Sequence, residues 1–114
     1  MDDEARWVPV CHIDDVPKGE LRTFAVQGLT SPVLIANVND RFFASASRCP
    51  HGRISLLAGH IVGHRIVCPG HAYEFDLATG KCADDATLEL PRYRTVAVGG
   101  VVRVDIRSIK APGL

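Results

Sequence analysis

The chain has 114 residues, with 13 Lys plus Arg balanced by 13 Asp plus Glu. That length suits one domain with an ordinary core, and zero formal charge argues against a nucleic-acid binder, which carries a basic excess. No apolar run approaches the roughly 18 residues of a membrane span, and the acidic opening MDDEARW is unlike a signal peptide, so a soluble cytoplasmic protein is expected.

Short strands broken by turns then follow one another. Arg6–Cys11 and Leu21–Val26 are rich in β-branched or aromatic residues and are separated by the turn-forming run 14–19. Val33–Val38 and Arg41–Ala44 flank Asn39-Asp40, a hairpin turn without the usual glycine. His60–Val62 and Arg65–Val67 flank Gly63-His64, and Thr95–Val98 and Val101–Ile106 flank Gly99-Gly100. Tyr73 and Phe75 alternate as on a strand with one packed face, Trp7 is expected to pack on the base, and Ser108–Leu114 reads as a loose end. No stretch of ten residues keeps a helical period, so the chain is expected to be all-β.

One stretch, 48–80, carries chemistry. It holds Cys49-x-His51 and, sixteen residues on, Cys68-x2-His71. Pro50 and Gly52 punctuate the first pair, and Pro69 and Gly70 the second, so both read as tight loops. Each loop offers a soft thiolate and an imidazole, and two such loops can converge on one inorganic centre. A mononuclear zinc site commonly takes its cysteines from C-x2–4-C and its histidines from H-x3–5-H on a helix. Here the ligand types are mixed within each half and no helical pattern follows, which suits a two-iron cluster better.

With Phe75, Asp76, Thr79 and Gly80 spelling F-D-x-x-T-G after the second pair, the stretch resembles a Rieske [2Fe–2S] domain. The resemblance implies one [2Fe–2S] cluster, with Cys49 and Cys68 on one iron and His51 and His71 on the other. It also implies an antiparallel β sandwich or barrel base (1–45 and 90–107) carrying an inserted cluster-binding subdomain (about 46–89). His12, His60 and His64 fall outside the ligand pattern and read as surface or turn residues. Arg48, Arg53 and Arg65 read as solvated, Cys11 as a small buried residue, and Cys82 as a bland position near the cluster loops. A reducing compartment suits the free thiols.

Cys49 to Gly59 resembles the ferredoxins associated with ring-hydroxylating oxygenases, which implies a one-electron carrier between an NAD(P)H-dependent flavoprotein reductase and a terminal oxygenase. No site is expected for catalysis within the chain itself. The second half-motif fits the small subunit of a nitrite-reductase-like enzyme equally well, and a zinc-scaffolded interaction domain is the third reading. High-potential relatives carry a disulfide between the cluster loops and hydroxyl donors to the cluster. Ile54 and Gly70 stand at the two disulfide positions, and Tyr73 and Phe75 at the serine and tyrosine positions, which points to a potential near the low end, about −150 mV. The third loop, 81–87, has no proline and carries Asp84 and Asp85.

Overall fold

The structure is a computed structural model that describes residues 5–70 and 72–110. Among the described residues nine strands form two antiparallel sheets. β1 (Trp7–His12), β2 (Leu21–Phe24), β3 (Val33–Val38), β4 (Arg41–Ala46), β8 (Arg92–Val98) and β9 (Val101–Lys110) make one sheet in the order β1-β9-β8-β4-β3-β2. β5 (His60–Val62), β6 (Arg65–Val67) and β7 (Glu74–Asp76) make a second, three-stranded sheet. In sequence, the small sheet lies wholly between β4 and β8, so the chain leaves the large sheet once and returns to it.

β3 shows how the sequence builds two cores from one strand. Every residue of VLIANV is buried, because successive side chains point to opposite faces. Leu34, Ala36 and Val38 join a cluster with Leu56, Ile66, Phe75, Leu77, Leu90 and the buried cysteines. Val33 and Ile35 join the opposite one with Val16, Val26, Ala44, Val102 and Val104. The first cluster welds the small sheet to the large one, and the second belongs to the large sheet and its connections. Asn37 is buried too, but its amide donates to the Val16 carbonyl at 2.8 Å and its oxygen accepts from Asp40 N at 2.7 Å, so its polarity is satisfied.

The glycine-free hairpin at Asn39-Asp40 forms, with both residues left-handed (φ 52° and 68°), as a two-residue turn of that twist demands. Strand edges shift in several places. β8 begins at Arg92, three residues before the expected Thr95, and β9 runs on to Lys110 through an irregularity opposite Arg92 and Arg94. Ser108–Lys110 therefore belong to a strand, while the rest of the expected loose tail lies outside the described residues. Trp7 does not pack into the base: it is 41% exposed, with the Arg94 guanidinium 5.6 Å over its ring.

Candidate metal centre

The expected ligands are delivered by two loops of one backbone design. In the first, Cys49 N donates to Ile54 O at 2.7 Å and Arg53 N donates to Cys49 O at 2.9 Å. In the second, Cys68 N donates to Tyr73 O at 2.8 Å and Ala72 N donates to Cys68 O at 3.0 Å. Each loop thus closes on its cysteine from the fourth and fifth residues beyond it, and the fourth is left-handed in both, Arg53 and Ala72 each at φ 58°. β4 leads into the first loop, and β6 and β7 hold the second from both ends. Between the loops, the chain after the short turn Leu56–Ala58 passes Val67 so closely that a Cβ on Gly59 would fall 2.2 Å from the Val67 carbonyl oxygen. Only glycine fits that approach.

A left-handed non-glycine residue costs about 1 kcal/mol. Ala72→Gly should therefore raise unfolding stability by about 1 kcal/mol, read as a shift in denaturant midpoint at unchanged slope.

Cys49 and Cys68 come together. Both are buried, neither is in a disulfide, and their thiols interact directly. Burial first, then the Cys68 thiol, pushes the Cys49 thiol well above the ordinary range, while the His51 amide, 3.4 Å from Cys49 Sγ, works the other way. Two adjacent buried thiols fit a site where metal displaces their protons. The His51 ring lies against Tyr73, centroids 4.4 Å apart. His71 lies outside the described residues.

The third loop carries the acidic residues flagged in the sequence, and hydrogen bonds stand where proline does not. Asp84 Oδ2 accepts from Glu74 N at 2.9 Å, tying the loop to β7. Asp85 Oδ1 accepts from the Thr87 amide at 2.9 Å and hydroxyl at 2.6 Å. These two bonds hold the Asp85 carboxyl below its usual range, with the nearby His51 a smaller influence. Cys82, bridged to Phe75, is buried close enough to Cys49 to raise its thiol slightly.

The remaining candidates sit apart. His12, His60 and His64 are exposed, as are Arg48, Arg53 and Arg65, the last paired with Glu74 at 3.1 Å. Cys11 is half-buried against the large-sheet core. Sequence reasoning put Tyr73 in the core, and its ring contact with His51 carries no signal in spacing.

Residues 6–94 match the family profile of the Rieske [2Fe-2S] domain. The chain belongs to the Rieske [2Fe–2S] family. It accordingly carries one [2Fe–2S] cluster. The 3-phenylpropionate/cinnamic acid dioxygenase ferredoxin subunit of Escherichia coli (strain K12) is 38% identical over 99 residues, covering 84% of this chain and 90% of that protein. The complex of reduced oxygenase and oxidized ferredoxin in carbazole 1,9a-dioxygenase supplies a matching chain at TM-score 0.78 and 32% identity, with 87% of this chain and 92% of that one covered. A putative NADH-dependent nitrite reductase small subunit from Mycobacterium tuberculosis shares the fold at TM-score 0.79 but only 20% identity, covering 88% and 94%. This Rieske domain is an electron carrier, as ferredoxin components are, and not itself a catalyst. Among the described residues no helix is long and apolar enough to cross a membrane.

Proposed function

We propose that this Rieske domain is the ferredoxin of a multicomponent oxygenase system, with Cys49 and Cys68 ligating one iron and His51 and His71 the other. It takes single electrons from an NAD(P)H-dependent flavoprotein reductase in the cytoplasm and delivers them to a terminal, ring-hydroxylating oxygenase. Residues 46–89 act as the cluster-binding subdomain and 1–45 with 90–107 as its base. The meeting of the Cys49 and Cys68 thiols in two matched loops carries the ligand assignment. The 38% identity to a dioxygenase ferredoxin subunit supports the role.

When bound, the cluster supplies a one-electron redox couple; the surrounding residues set its potential. Phe75 is fully buried and brings no hydroxyl, and the Asp85 carboxylate interacts with His51. A missing hydroxyl donor and added negative charge both disfavour the more negative reduced state, so a potential of about −150 mV is expected. Protein-film voltammetry at neutral pH checks it, and a value above about +100 mV overturns the donor argument. Reconstitution checks the role: the protein should restore electron flow from reductase to oxygenase and turn over no substrate alone. Transfer to a sirohaem enzyme but to no oxygenase would favour the nitrite-reductase reading, and a colourless zinc protein would overturn both.

A further inference from the structure

Side chains cross between the two cysteine loops in both directions. From the first loop, Ile54 Cδ1 lies 2.3 Å from the point where a Cβ on Gly70 of the second loop would stand. That point is 3.8 Å from Cys68 Sγ. Gly70 is not left-handed, so its backbone would accept alanine; what fills the place of a methyl there is the end of Ile54. From the second loop, Tyr73 lays its ring against His51 of the first, tilted by 33°. Ile54 remains 37% exposed, so it covers the neighbourhood of the Cys68 sulfur at the border with solvent.

We infer that Ile54 and Tyr73 are positioning residues that clasp the cluster loops together, Ile54 also keeping water from the Cys68 side of the site; this rests on the ligand assignment proposed above. Opening the clasp has two consequences. Loops that part more often release iron faster. Water reaching a cluster sulfur donates hydrogen bonds that stabilise the reduced state, so the potential rises.

Moving one methyl across the contact tests this in the holoprotein. Ile54→Val removes Cδ1 and leaves a gap, while Gly70→Ala adds a methyl where Cδ1 already sits. Each single variant should lose its visible absorbance to a chelator about fivefold faster. The double variant, which restores the methyl, should return to within about twofold of the parent. Ile54→Val should also shift the potential upward, and the double variant should bring it back. Tyr73→Ala, independent of Gly70, should shift the EPR pattern of the reduced protein by removing the ring packed against His51. Additive effects in the double variant, or release rates and potential that do not move, overturn the clasp. A Cys68→Ser protein that keeps its cluster overturns the ligand assignment instead, so the two failures are distinguishable.

Discussion

Cys49→Ser and Cys68→Ser should each abolish the red-brown colour, with His51→Ala and His71→Ala losing or crippling the cluster, while His60→Ala and His64→Ala leave the visible spectrum unchanged. The cysteines are buried side by side, and a serine hydroxyl is far less acidic and less soft as an iron ligand. His60 begins β5 and His64 sits in its turn, both exposed. Loss of colour should not mean loss of the fold. Both thiols belong to the core that joins the two sheets, and the large-sheet core built on Val33, Ile35, Val102 and Val104 contains neither. Far-UV circular dichroism of Cys68→Ser should therefore keep most of its β signal. Iron and sulfide analysis should fall from two of each per chain toward none; intact cluster in Cys49→Ser or loss in His64→Ala would refute the assignment.

Asp105→Ala should destabilise the holoprotein by about 3 kcal/mol, a large loss for a polar residue outside the metal centre. Asp105 is almost fully buried on β9, where Oδ1 accepts from Arg6 N at 2.8 Å and Arg107 N at 3.1 Å, and Oδ2 pairs with Arg94. Burial opposes its charge, but these three donors outweigh burial and hold the carboxyl below its usual range. Alanine would take the acceptor from the Arg6 N–H, which ties the chain just before β1 to β9. Asparagine keeps an oxygen at the Oδ1 position but turns an NH2 toward Arg94, so Asp105→Asn should cost less, about 1–2 kcal/mol. Because the folded value is depressed, the carboxylate's contribution is present above the ordinary value and is lost as pH falls through the folded one. Denaturant unfolding between neutral pH and about pH 3 checks this: parent stability should fall along the acid limb more steeply than that of Asp105→Asn. Equal slopes would remove Asp105 from the explanation.

Strand identity was legible because hydrophobic alternation and turn residues are local. Val33–Val38, His60–Val62 and Arg65–Val67 appear with the bounds that composition and turns implied. The metal-ligand spacing was legible for the same reason, since Cys-x-His and Cys-x2-His with their prolines and glycines are each contained in one loop. Strand ends were less so, because β9 continues past Ile106 through the pairing of Arg92 with Lys110 and the bond from Arg94 N to Ser108 Oγ, both of which cross from β8.

By itself, then, the amino-acid order determined the all-β class, the loop character of the cysteine pairs and the family resemblance that the comparison with known proteins established. Tertiary structure decided which residues act across loops. Ile54 meets Gly70, Tyr73 meets His51, and Asp85 comes within electrostatic reach of His51 only because β5–β7 fold the intervening chain back on itself. Such contacts join residues 16, 22 and 34 positions apart on separate loops. No periodicity encodes them, since their distance is set by how two sheets pack and not by any step along one strand.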